Sequence, residues 1–171
     1  MNLSKTDIAN CKNEELKQVL NRFYEYKNYC DLLPGNNDTL LKTEQIIGAM
    51  PVQLKEWLSL FDGGLLFTTS MFSSREIEYG KFNALITFEE ANSIDYKNSN
   101  GIHDSLVCFA ATNYGNYFCY VPEENSECVY EWDPEEDALT LKWNTFAEWL
   151  NEQIDFAVTL IEEKLLDPFG N

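Results

Sequence analysis

The residues best suited to covalent chemistry in this sequence are five cysteines and one histidine, His103. A cysteine nucleophile needs an imidazole nearby and surroundings that lower the pKa of its thiol. Cys108 and Cys119 lie instead in apolar segments, which raise the pKa of a thiol, and His103 lies in a polar loop beside Asp104. Because the chain also lacks Cys-x-x-Cys and His-x-x-x-His spacings, we expect neither a catalytic dyad nor a zinc site.

Paired carboxylates are the second group that could act on a substrate. Adjacent acids on exposed loops stay ionised, so they are poorly suited to the proton transfers of glycoside hydrolysis. Gly63-Gly64 and Gly115 are too sparse for a phosphate-binding loop. We therefore expect no enzyme activity and no cofactor; the alternative is a small hydrolase, which would need a cleft with perturbed acids. The pairs are Glu89-Glu90, Glu123-Glu124 and Glu135-Glu136.

Aromatic rings alternate with acids between Lys97 and Lys142, a segment that contains no other Lys or Arg. A nucleic-acid platform pairs rings with basic side chains, whereas Tyr and Trp among acids are typical of anchors in a protein interface. We predict Tyr114 and Tyr117 as anchors for a protein partner. Two alternatives stay open: the rings belong to the core, and the acids form a face that is merely solvated. The predicted steering charges are Glu123, Glu124, Glu127, Glu135, Glu136 and Asp137.

The charge of the chain is strongly negative and unevenly placed. The formal net charge is −17 at pH 7, from 12 Lys and Arg against 29 Asp and Glu. Residues 1–60 carry seven bases and eight acids, whereas residues 61–171 carry five bases and twenty-one acids. Because contacts with phosphate need Lys and Arg, this charge argues against direct binding of nucleic acid or an anionic membrane and favours a basic protein partner.

The helices that must position these residues are predicted from apolar spacing and capping signals. Asn13 is a plausible cap for the first helix, and Pro51 suits the first position of another. Capping boxes at Thr87 and Thr145 begin two more. The predicted helices are residues 13–33, a short turn at 43–49, a helix from Pro51 that Asp62-Gly63-Gly64 ends, residues 88–96, and the segment after Thr145.

The clearest predicted strands lie in the second half of the chain. Apolar runs joined by turn residues such as Tyr114-Gly115-Asn116 indicate consecutive antiparallel strands. The order of helices, strands and a last helix predicts a single α+β domain, in which an antiparallel meander sheet is packed on one side by helices. The predicted strands are residues 65–68, 106–111, 117–121, 128–132 and 138–143.

The compartment is predicted from the N-terminal segment and the cysteines. Residues 1–7 lack the features of a signal peptide, and no stretch approaches the roughly 20 apolar residues that span a bilayer. The cysteines are odd in number and lie mostly in apolar segments, which is typical of reduced thiols. We expect a cytoplasmic protein without membrane contacts, as a monomer or weak homodimer.

Six short segments, taken in order, form a specific set. They are Pro51…Trp57-Leu58…Phe61-Asp62-Gly63-Gly64, then Glu90-Ala91-Asn92, Val107-Cys108-Phe109-Ala110, Tyr114-Gly115-Asn116-Tyr117-Phe118-Cys119-Tyr120, Val129-Tyr130-Glu131-Trp132-Asp133 and Thr145-Phe146-Ala147-Glu148-Trp149-Leu150. With this spacing, residues 34–152 resemble the SUKH superfamily, which includes the Smi/Knr fungal cell-wall regulators. Three positions depart from its usual pattern: Asp62 replaces an asparagine, Asn116 an aspartate and Pro134 a histidine.

The resemblance implies a SUKH-like domain over residues 34–152 without known catalytic residues. Residues 1–33 would be a variable N-terminal helix packed on it, and residues 153–171 the continuation of the last helix. Most bacterial members look like immunity proteins, which neutralise the toxin domain of a polymorphic or contact-dependent system, often a nuclease. The implied partner is therefore a cognate toxin domain, expected to be basic. The alternative is a regulatory scaffold of the Smi/Knr kind in cell-wall or signalling pathways.

Overall fold

The computed structural model of the protein describes residues 3–76, 85–122 and 126–169. The helices of these residues are α1 (Lys5–Asn10), α2 (Glu14–Tyr26), α3 (Asn37–Ile47), α4 (Val52–Leu60), α5 (Phe88–Ala91), α6 (Ile94–Ser99) and α7 (Phe146–Glu162), with a 3-10 turn at Lys27–Tyr29. The strands are β1 (Asp31–Pro34), β2 (Phe61–Leu66), β3 (Thr69–Met71), β4 (Val107–Thr112), β5 (Tyr117–Tyr120), β6 (Val129–Asp133) and β7 (Ala138–Trp143).

The strands of the described residues form one antiparallel sheet whose spatial order equals the chain order, β1 to β7. Helices α3 and α4 connect β1 to β2, and α5 and α6 lie in the connection from β3 to β4. From β4 onward each strand returns beside the previous one. The predicted α+β fold with an antiparallel meander sheet packed by helices is confirmed.

Helices cover both faces of this sheet, which differs from the one-sided packing predicted from the sequence. The Tyr117 hydroxyl lies 3.2 Å from the Tyr96 hydroxyl of α6. The next residue, Phe118, packs against Trp149 of α7, with ring centroids 5.2 Å apart. Because successive side chains of a strand point to opposite faces, α6 and α7 lie on opposite sides of β5.

The core between the sheet and α7 is aromatic. Trp149 contacts Phe109 and Phe118 of the sheet at centroid distances of 5.2 Å each, in edge-to-face geometry. Phe146 links this group to Trp57 of α4, 5.7 Å away. All five rings are at most 3% exposed, and edge contacts of this kind suit the charge distribution of aromatic rings. The packing therefore fixes α7 across β4 and β5.

The N-terminal segment belongs to the same core. Leu16, Leu20 and Phe23 of α2 are fully buried, and α2 packs against α7. The helix predicted over residues 13–33 ends at Tyr26, and the chain then forms the edge strand β1. This strand has four residues and ends in a proline, so it carries little sequence signal. The short turn predicted at 43–49 is the end of the longer helix α3.

The glycine pair predicted to end α4 lies inside strand β2 instead. The helix does end at Leu60, but Asp62, Gly63 and Gly64 continue as sheet. Gly64 has φ of 120°, and a Cβ there would lie 2.4 Å from the carbonyl oxygen of Asp31 in β1. Glycine is thus required by the close approach of β1 to β2 rather than by a turn.

Candidate protein-binding surface

Three of the predicted steering charges lie together on the turn between β6 and β7. Glu135, Glu136 and Asp137 are all exposed. The Asp133 carboxylate accepts hydrogen bonds from the backbone N–H groups of Glu135 (2.9 Å) and Glu136 (3.2 Å), which holds the turn in shape. This turn presents its charges to solvent, where a partner can reach them.

The other predicted steering charges do not share that position. The Glu127 carboxylate is half-buried and accepts hydrogen bonds from the backbone N–H groups of Val52 (2.7 Å) and Gln53 (3.1 Å) at the start of α4. It therefore stabilises a helix N-terminus. Glu123 and Glu124 lie outside the described residues.

The two predicted tyrosine anchors differ in exposure. Tyr114, on the turn between β4 and β5, is 66% exposed. Partial burial, followed by the nearby charge of Glu131, raises the pKa of Tyr114. Tyr117 is only 6% exposed, and burial together with the hydrogen bond to Tyr96 raises its pKa. Tyr114 is accessible to a partner, whereas Tyr117 belongs to the core beneath α6.

A groove of about 170 Å³ opens beside Tyr114, between the sheet and α7. Exposed rings form part of its lining, Tyr114 from the β4–β5 turn and Phe156 from α7, the latter 50% exposed. Buried Phe118 of β5 and Trp143 of β7 also line it. We call this the aromatic groove. Its other lining residues are Thr68, Thr69, Thr112, Glu131, Lys142, Glu152 and Gln153.

Two carboxylates of the aromatic groove are held in fixed positions. The indole N–H of Trp143 donates to Glu152 at 2.6 Å. Glu131 accepts a hydrogen bond from the Asn116 side chain at 2.9 Å and lies 3.4 Å from the ammonium of Lys142. The groove therefore combines exposed rings with two acids and one base, and its charged side chains carry a net negative charge.

The sequence interpretation missed Glu152, Phe156 and Glu131 as members of a binding site. Phe156 carried a usable signal, because it is a large aromatic residue outside the apolar face of the last helix. Glu152 carried none, since surface acids on a helix are common in this chain, and Glu131 carried only its place among the acids between Lys97 and Lys142. Only the packing of α7 on the sheet brings them together.

A larger groove of about 410 Å³ lies between α1, α3 and α4, lined in part by Leu40, Val52 and Leu60. One of its two acids, Glu56, accepts hydrogen bonds from the backbone N–H groups of Lys12 (3.0 Å) and Asn13 (3.1 Å) and from the Cys11 thiol. The other, Asp7, accepts from Ser4. Lys55 is paired with Glu44. Three of its four charged residues are therefore engaged within the fold, and the fourth, Lys12, is exposed.

The thiols and the histidine considered for catalysis are in different environments. Cys108 and Cys119 are fully buried on adjacent strands. A hydrogen bond with Cys108, followed by burial, raises the pKa of Cys119 well above its ordinary value, which disfavours the thiolate. His103 is exposed, and its Nδ1 lies 2.9 Å from the Ser105 hydroxyl.

The described residues hold neither a cluster of metal-binding side chains nor a helix that could span a membrane. Within residues 3–76, 85–122 and 126–169, no three His, Cys, Asp or Glu side chains are grouped so that they could hold a metal ion. In those ranges, no helix combines the length and the apolar composition that crossing a bilayer requires.

The architecture is that of an α+β domain whose sheet carries an acidic, aromatic groove at the edge of its last helix. The chain belongs to the SMI1/KNR4 family (SUKH-1), whose family model matches residues 34–152, more than half of the chain. The resemblance seen in the sequence is thereby confirmed over the same range. None of the curated proteins compared with the chain matches it.

Proposed function

We propose that this protein is a non-catalytic binding domain of the immunity type, which neutralises a cognate toxin by direct contact. Membership of the SUKH-1 family supports a role of this kind. The observation that carries the proposal is the aromatic groove, where exposed Tyr114 and Phe156 lie beside Glu131 and Glu152. Exposed aromatic rings beside fixed polar groups are the usual anchors of protein interfaces.

The charge of the protein supports a basic toxin domain as the partner. The net charge is −17, and part of it is the exposed acids of the β6–β7 turn, which follows the strand that carries Glu131 of the groove. A nuclease must present Lys and Arg to its phosphate substrate, and such a surface is complementary to this one. The five free thiols suit a reducing compartment, so the proposed location is the cytoplasm.

The proposal is tested by expressing the chain with candidate toxins, chosen from the genes beside its own. Neutralisation of toxicity in cells and recovery of the toxin with the tagged chain are the expected results. Tyr114→Ala should weaken both, whereas Leu165→Ala, which removes an equally exposed apolar side chain elsewhere, should leave both unchanged. Failure of every neighbouring toxin to bind or be neutralised would contradict the immunity function.

A regulatory scaffold of the Smi/Knr kind is the second candidate. The larger groove between α1, α3 and α4 favours it, because two separate grooves can hold two partners at once. The two functions differ in the genes expected beside the gene for this chain and in the number of partners that the chain binds. A scaffold predicts simultaneous capture of two different proteins, while an immunity protein predicts a single toxin.

A further inference from the structure

We infer that the aromatic groove receives an arginine side chain of the partner. This inference deepens the proposed function and rests on it for the identity of the partner, but the chemistry of the groove can be tested on the protein alone.

The size of the groove favours a single side chain as its occupant. Pockets that bind small-molecule ligands usually measure about 300–1,000 Å³. At about 170 Å³, the aromatic groove is smaller than that range. Buried Phe118 closes it on the side of the sheet, so the occupant enters from solvent past Tyr114 and Phe156.

The charges favour a cation. Among the described residues of the lining, the one base, Lys142, is paired with Glu131, so the charge of Glu152 stays uncompensated. The further charge of Asp133 acts on Tyr114 at the same end of the sheet. The Glu152 carboxylate is oriented before binding because the Trp143 indole donates to one of its oxygens. A purely apolar group would lie against the Glu152 carboxylate without compensation, and an anionic group would meet Lys142 as the one cation of the described lining, already paired with Glu131.

The rings distinguish arginine from lysine. A guanidinium is planar, stacks on aromatic faces, and matches a carboxylate with two parallel N–H donors. Tyr114 and Phe156 offer exposed ring surface in the same groove as Glu152. A lysine ammonium would pair with the carboxylate but would not stack on the aromatic rings, because it is a compact and non-planar group.

The test titrates the intact, ¹⁵N-labelled protein with capped arginine, capped lysine and capped citrulline, the neutral analogue of arginine. The indole N–H resonance of Trp143, assigned with Trp143→Phe, reports on the groove because that group donates to Glu152. Arginine should shift this resonance saturably and bind about three- to fivefold more tightly than lysine. A shift of equal size with citrulline, or none with arginine, overturns the inference.

Matched variants locate the effect. Glu152→Gln keeps an oxygen that can accept the Trp143 N–H but removes the charge, so the groove stays intact while arginine binds at least about threefold more weakly. Tyr114→Ala, at an exposed turn, should have a similar effect. Glu89→Gln removes one charge from the exposed side of α5, outside the groove, and should leave the titration unchanged. Equal loss in all three variants would overturn the inference, because it would reflect net charge alone.

The same variants separate this inference from the proposed function. Suppose a toxin is captured and neutralised equally well by the wild type, Glu152→Gln and Tyr114→Ala. The inference would then be wrong while the immunity function stands. If capped arginine binds as expected but no toxin is neutralised, the arginine site is supported and the immunity function is not.

Discussion

The carboxylate of Glu127 accepts hydrogen bonds from the backbone N–H groups of Val52 (2.7 Å) and Gln53 (3.1 Å), the first two residues of α4. The first amides of a helix have no partner within it, and Pro51, which precedes this helix, makes no side-chain capping bond. An acid that the sequence placed among steering charges is therefore part of the fold. It connects the segment before β6 to a helix 75 residues earlier in the chain.

Replacing Glu127 with alanine should destabilise the protein. The helix loses its capping carboxylate, so the free energy of unfolding should fall by about 1–2 kcal/mol. Urea denaturation measures the loss. Glu136→Ala, which removes an acid from an exposed turn, should stay within about 0.5 kcal/mol of the wild type. Equal effects of the two changes would show that Glu127 acts only through net charge.

Gly64 and Gly115 both have positive φ angles, but only Gly64 has neighbouring atoms where a side chain would lie. Their φ angles are 120° and 102°, but a Cβ at Gly64 would lie 2.4 Å from the Asp31 carbonyl oxygen, whereas a Cβ at Gly115 would have nothing within 4 Å. Gly115→Ala should cost about 1–3 kcal/mol from backbone strain alone. Gly64→Ala should cost clearly more, because β1 must move away from β2. Thermal unfolding of both variants measures the difference, and equal costs would contradict the close approach.

Lys97 is a buried lysine that ties α6 to the following loop. Its ammonium donates to the carbonyl oxygens of Asp104 (3.1 Å) and Leu106 (2.6 Å), and the residue is 6% exposed. Lys97→Met removes both donors from a site closed to water, which should lower the free energy of unfolding by about 2 kcal/mol. Lys42→Met, on the exposed face of α3, should have little effect in the same denaturation assay. A neutral result for both changes would contradict the role of Lys97.

Stability should decline in alkaline solution because of Cys30. Burial raises the pKa of this thiol from its ordinary value of 9.0 to about 12. Between these values the folded state keeps a proton that the unfolded chain has lost. The contribution of the neutral thiol is therefore complete below pH 9.0 and is lost as pH rises towards about 12, by about 1.4 kcal/mol per pH unit.

Urea denaturation at pH about 8 and about 10 measures this loss of stability. In Cys30→Ala, the fall in the free energy of unfolding between the two pH values should be smaller by about the contribution of one thiol. The slope of stability against pH is the readout, so a general destabilisation by the substitution does not affect the comparison. An unchanged slope in the variant would contradict the effect of burial on Cys30.

The exposed acids of the β6–β7 turn should control the rate of association with a basic toxin. Neutralising the three as Glu135→Gln, Glu136→Gln and Asp137→Asn should slow association by about three- to tenfold at low salt and reduce its dependence on salt. Stopped-flow measurement with the captured toxin domain tests this. Unchanged association kinetics would show that these acids only solvate the surface.

Much of the fold could be predicted because its signals are local. Strands β4 to β7 consist of short apolar runs joined by turn residues. Helix α7 begins after Thr145, whose side chain accepts from the Glu148 N–H as predicted, although the Glu148 carboxylate accepts from the Asn144 N–H instead of completing the capping box. Strand β1 could not be predicted in this way, since its four residues become a strand only by pairing with β2. The glycines of β2 likewise suggest a turn unless β1 lies against them.

For the candidate site, the sequence by itself determined the acidic charge, the exposed turn at Glu135, Glu136 and Asp137, and the turn that carries Tyr114. These depend on composition and on residues close together in the chain. Only the tertiary structure decided that Tyr117 is covered by α6 and that α7 brings Phe156 and Glu152 to Tyr114. Exposure and proximity depend on which distant element packs against a residue, and α7 takes its position from aromatic packing on β4 and β5.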